Sequence, residues 1–238
     1  MTPQIEVGSV LRETFAIYRE RAGVLLPVAF WLFLAVGIVE ELAYAYIVTA
    51  ILAGLLGMAA TIVYQGMVVQ VVRDRREGRR ESSAGGMLGS VRPVLLSLVA
   101  ASLLAAVGTG LGFLLLVIPG LIAVTFWAVI APAIVTERTG PLKAFGRSQD
   151  LVGGNAWPVF GAVLLGLLVV AVPAVASLLL AELLIGYGIL IRVVFFALVG
   201  AFAAPVPGLV AAILYFRLRE IEEASASAVV EQPGHGQG

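Results

Sequence analysis

Four side chains past the middle of the sequence have types and spacing suited to chemistry at a membrane surface: Glu137, Arg147, Ser148 and Trp157. A carboxylate and a guanidinium this close in sequence can pair and pin a short surface helix to the segment before it. The same guanidinium, with a hydroxyl beside it and an indole at headgroup level, can instead hold a lipid phosphate. The pinning reading is the simpler one, and the headgroup reading stays open beside it.

Chemistry of other kinds finds few residues to use. The sequence has one histidine, His235, in a small polar tail, and no cysteine. No His, Asp and Glu cluster has metal-ligand spacing, and no Ser–His arrangement falls in the folded part. The run Gly108-Thr109-Gly110-Leu111-Gly112 lacks the lysine and the preceding strand of a phosphate loop. Its Gly108 and Gly112 are better read as a close helix-packing surface. The expectation is therefore no catalytic residue, no cofactor and no metal. Net charge is zero, which gives no reason to expect nucleic acid.

The elements that must position the four residues are set by composition. The chain is 61% hydrophobic and 13% charged, against about 25% charged in soluble domains. Its uncharged stretches are long enough for spanning helices of about 20 residues. They predict an all-α polytopic bundle with six spans near 22–40, 47–72, 93–117, 120–136, 155–181 and 191–217. Pro119-Gly120 would turn the third span into the fourth. The spans form three hairpins in one membrane domain over 1–223, with a disordered tail over 224–238.

Fourteen of the fifteen Lys and Arg residues then fall on one side, Arg192 being the exception. The positive-inside rule places both termini in the cytoplasm. A cleaved leader ending near Ala45 is disfavoured by Glu6, Glu13, Glu20, Glu40 and Glu41. The excess of Arg over Lys fits a GC-rich bacterial genome, and the expected location is the bacterial inner membrane. The run Arg73–Glu81 reads as a topology determinant, with an anionic-lipid patch as the lesser alternative.

The hairpins share a plan. Pro27, Pro93 and Pro158 each stand near the start of the first span of a hairpin, in the first turn, where a missing N–H is harmless. Each follows a short segment expected to lie in the interface. In the first, Val7, Leu11, Phe15 and Tyr18 share a face; in the second, Met87, Leu88 and Val91; in the third, Leu142, Phe145 and Val152. Pro173 should break the fifth span, and Pro205, Pro207 and Gly208 the sixth. Tyr64, Gln65 and Gln70 are the main polar group within a span, read as interhelical hydrogen-bonders.

One stretch carries a resemblance. Ala131-Pro132-Ala133-Ile134-Val135-Thr136-Glu137, then Gly140, then Ala144-Phe145-Gly146-Arg147-Ser148-Gln149-Asp150-Leu151-Val152 and Asn155-Ala156-Trp157, resembles the bacterial glycerophosphoryl diester phosphodiesterase membrane domain and its YciC-like relatives. Val7-Gly8-Ser9-Val10-Leu11, Ile118-Pro119-Gly120 and Leu214-Tyr215-Phe216-Arg217-Leu218-Arg219 extend the resemblance over most of the membrane part. Arg217 departs from it, standing where an acid is usual. The resemblance implies a membrane module without the catalytic barrel. The expected function is a non-enzymatic accessory or scaffold in envelope or lipid processes, in contact with membrane lipids and a membrane protein partner. The alternative is a transporter, channel or scramblase for lipid or a small apolar solute.

Overall fold

The computed structural model describes residues 5–43, 45–79, 84–184, 186 and 188–230. Among them are ten α-helices and no strand: α1 (Val7–Ala43), α2 (Ile47–Arg76), α3 (Ala84–Val91), α4 (Leu95–Leu115), α5 (Val117–Phe126), α6 (Ile130–Glu137), α7 (Pro141–Gly153), α8 (Ala156–Leu184), α9 (Ile189–Ala203) and α10 (Pro205–Val230). Six helical stretches among the described residues are long and apolar enough to cross a membrane. A helix satisfies its own backbone polar groups, which is why apolar chain in lipid adopts it. α2 and α10 form the centre, with Tyr64, Leu209, Ile213, Leu214 and Tyr215 fully buried. α1, α6 and α8 pack around them.

Ion pairs join the ends of this bundle. At one end Glu13 of α1 meets Arg76 of α2 and Arg217 of α10. There too Arg75 meets Glu20, and Arg147 of α7 meets Glu222. The segment before the first span, the α2 end, the α6–α7 corner and the last helix therefore share one side. At the other end Glu41 pairs with Arg192. Arg75, Arg76, Arg147 and Arg217 thus lie at one end of the bundle and Arg192 at the other.

Several local expectations need correction. The first interfacial segment is not separate: α1 runs unbroken from Val7 through Pro27. Pro27 is therefore not in a first turn. It leaves the Gly23 carbonyl without its usual N–H partner. The buried face of this part is Val10, Thr14 and Ile17, whereas Phe15 is exposed. On α7 the buried stripe is Ala144, Ser148, Leu151 and Val152, and Leu142 is 77% exposed. On α3 and its end, Met87 and Val91 are buried but Leu88 is not.

α8 continues through Pro173 without a break. The turn between the third and fourth spans falls at extended Leu116, ahead of Pro119, which sits harmlessly in the first turn of α5. The fourth span is itself broken at Trp127–Val129. α10 runs on to Val230, past Ala224, where the sequence reading begins a disordered tail. The rest of that tail, with His235, lies outside the described residues. The break before Pro205 stands as expected, with α9 ending at Ala203.

Candidate functional site

The site candidates gather where α6, α7 and α10 meet. α6 ends at Glu137, and Arg138 follows in the left-handed region with φ 53°. That reversal, with Gly140 and then Pro141 at the first helical position, redirects the chain into α7. Arg147 then faces two acids. Its Nε donates to Glu137 at 2.9 Å. Its Nη1 and Nη2 donate to the two carboxylate oxygens of Glu222, each at 2.6 Å. This bidentate fork is the strong form of an Arg–carboxylate pair. Tyr215 Oη donates to Glu137 at 2.8 Å, closing a chain that runs Tyr215, Glu137, Arg147, Glu222. The hydrogen bonds to Glu222 raise the Arg147 pKa, aided by Glu137 and opposed by burial. The guanidinium stays charged at every pH the protein could meet.

Ser148 is fully buried and turns away from this chain. Its Oγ donates to the Phe126 carbonyl at 2.7 Å. In an unbroken helix that carbonyl would accept from the Ile130 N–H, which here donates instead to Trp127. Ser148 thus closes the end of α5 left open by the break. Trp157 is 83% exposed on the first turn of α8, edge-on to Phe160, and does not join the Glu137–Arg147 cluster. The structure therefore brings Glu137 and Arg147 together and separates Ser148 and Trp157 from them.

Tyr215 and Glu222 are site residues that sequence reasoning missed. Their spacing of two helical turns puts them on one face of α10, which is the signal that could have found them. Arg217, the departure from the resembled motif, is held by Glu13 through Nε at 3.1 Å and Nη2 at 2.6 Å. Arg76 lies 5.1 Å from the centre of the Phe216 ring, within cation–π range.

Two polar groups inside the bundle serve the helix ends at the α9–α10 break. Gln65 Nε2 donates to the Ala204 carbonyl at 3.1 Å and Tyr18 Oη to the Phe202 carbonyl at 3.0 Å. Both acceptors flank the α9–α10 break. Tyr64 Oη donates to the Leu25 carbonyl, two residues before Pro27, at 3.1 Å. Gln70 bonds Asp74 one turn on, within α2. Beside Gln65 lies a cavity of about 310 Å³ between the two breaks, bordered by Ala128, Pro132, Pro207 and Gly208. Gln65 is the polar side chain in an otherwise apolar wall. A second apolar recess of about 390 Å³ lies between α8 and α9, near Phe33 and Ser177. Among the described residues no group of three His, Asp or Glu is placed to hold a metal ion.

Neither the curated proteins nor the solved structures contain a match to the chain. A family match covers residues 15–215, and with it all of the ion-paired corner but Glu222. The chain belongs to the family described as a domain of unknown function, DUF7847.

Proposed function

We propose that this multi-pass membrane protein is a non-enzymatic scaffold or accessory module of a bacterial inner membrane, with both termini in the cytoplasm. It would serve envelope or lipid processes, as the resemblance to the phosphodiesterase membrane domain implies, in contact with membrane lipids and a protein partner. One observation carries the reading. Tyr18, Tyr64, Gln65 and Ser148 donate to backbone carbonyls near helix breaks or prolines, and Gln70 donates to Asp74 within α2. They hold the bundle in shape and leave apolar walls around its cavities. Arg147 is likewise committed to Glu137 and Glu222, which favours the structural reading of that corner over a headgroup site.

A specific feature favours the alternative of a lipid transporter or scramblase. The cavity beside Gln65 lies where two broken helices face each other, and broken helices line substrate sites in transporters. Reconstitution into vesicles carrying a fluorescent phospholipid separates the two. A scaffold leaves the inner-leaflet label protected from an external reductant at the rate of empty vesicles. Rapid loss of that protection would replace the scaffold by a scramblase.

A further inference from the structure

α7 stays at the ion-paired end of the bundle over its length. Arg147 meets Glu137 and Glu222 there. The end of α7 and the residues after it, from Asp150 to Asn155, share a recess with Leu218 and Glu222 of α10. α8 starts from this level and crosses beside α10. Gly166 packs against Val210, and Val170 and Ala174 border the recess that also holds Ala203 and Ala204. At 1.5 Å per residue, the 29 residues of α8 carry it ~43 Å toward the far end.

α5 follows α7 in the opposite direction. Trp127 and the Phe126 carbonyl meet Phe145 and Ser148. Further toward its start, Ile118, Leu121 and Ile122 share an apolar cleft of about 220 Å³ with Ala156, Trp157 and Phe160. The whole length of α5, from Ile118 to Phe126, therefore borders the same cleft as the first turn of α8. A hairpin crossing about 30 Å of hydrocarbon would put Ile118 level with Glu41 and Arg192, far from Trp157.

The turn itself agrees. Leu114-Leu115-Leu116-Val117-Ile118 has no polar side chain to meet water. Leu114 is 81% exposed on the protein surface. The Leu116 N–H donates to the Gly112 carbonyl at 3.0 Å, so the turn keeps a backbone bond where lipid offers none. The turn at the other end of the bundle is different, since it carries Glu40, Glu41 and, from α9, Arg192.

We propose that the α4–α5 hairpin does not cross the membrane. It enters and leaves on the ion-paired side, and its tip lies among the acyl chains of that one leaflet. Four helices then cross in place of six, and the two termini stay on the same side. The proposal does not depend on whether the protein is a scaffold or a scramblase.

The sequence has no cysteine, so introduced thiols report cleanly in the full-length protein in native membrane vesicles. The double variant Ile118→Cys/Trp157→Cys should be joined by a short bismaleimide, as should Ile122→Cys/Phe160→Cys. Ile118→Cys/Gly188→Cys should not be joined. Leu116→Cys should resist an impermeant maleimide applied from the face on which Tyr46→Cys reacts. Labelling of Leu116→Cys from that face, joining of residue 118 to residue 188, or failure of both near pairs in folded protein would overturn the proposal.

Discussion

Glu13 and Arg217 stand 204 positions apart in the chain, yet the Glu13 carboxylate accepts from Arg217 Nη2 at 2.6 Å. The same carboxylate also meets Arg76. One acid near the start of the chain therefore ties together the start of α1, the end of α2 and the middle of α10. Replacing Glu13 by Gln should loosen all three at once. The measurement is the thermal midpoint in detergent: Glu13→Gln should lower it more than either Arg76→Gln or Arg217→Gln, and an effect no larger than theirs would refute the shared role.

The Arg147 fork gives a second expectation. The pair is about a quarter exposed on the Arg side, so water screens part of its strength. Arg147→Gln should cost about 1–2 kcal/mol, read as a lower unfolding midpoint. Arg147→Lys should recover only part of that, because an ammonium cannot make the bidentate contact. A binding role for Arg147 would instead leave the midpoint of Arg147→Gln unchanged.

Glycine contacts in the α4–α5 hairpin give a sharp pair of variants. A Cβ on Gly112 would lie 3.0 Å from the Gly120 backbone, while one on Gly110 would meet nothing within 4 Å. Gly112→Ala should destabilise by about 1–3 kcal/mol through overpacking, and Gly110→Ala should be neutral or mildly stabilising. Equal midpoints for the two would show that the close approach does not exist in the membrane.

Gln65 should act through the α9–α10 break. Gln65→Leu removes the donor to the Ala204 carbonyl, a loss of about 0.6–1.7 kcal/mol for a hydrogen bond within a membrane. Tyr18→Phe removes the neighbouring donor to Phe202. Faster deuterium exchange of the amides around Ala204 in each variant is the expected reading. Unchanged exchange there would mean that Pro205 and Pro207 shape the break unaided.

At the far end, Glu41 and Arg192 form a pair between turns. Glu41→Arg should weaken the protein, and adding Arg192→Glu should restore much of the loss. A double variant no better than the single one would show that the two residues contribute separately.

The long apolar helices were legible because they rest on a one-dimensional quantity, runs without charge of about spanning length. Gly108 and Gly112 were legible as packing surfaces for the same reason: small residues one turn apart leave room for a neighbour, here Trp127 and Gly120. The phase of the first amphipathic face was not. Residues 7–21 belong to a helix that packs against other protein, so Val10, Thr14 and Ile17 turn inward by tertiary fit and Phe15 outward. Pro173 left its helix whole, and Ser177 donates to its carbonyl at 2.7 Å. The Glu137–Arg147 pair was legible, but its further partners were not assigned to it, because Tyr215 and Glu222 come from a helix distant in sequence. Only the folded chain brings their spacing on α10 to bear on α7.

α10 has a mechanical consequence. Its 26 residues make a rod ~39 Å long, with its lower turns gripped by the rest of the bundle and its upper turns carrying Glu222 and Glu223 clear of the apolar part. Such a mast transmits orientation. A reporter domain joined directly after Val230 would be held at a set height and heading above the lipid, and its fluorescence anisotropy would decay with the tumbling of the whole particle instead of its own.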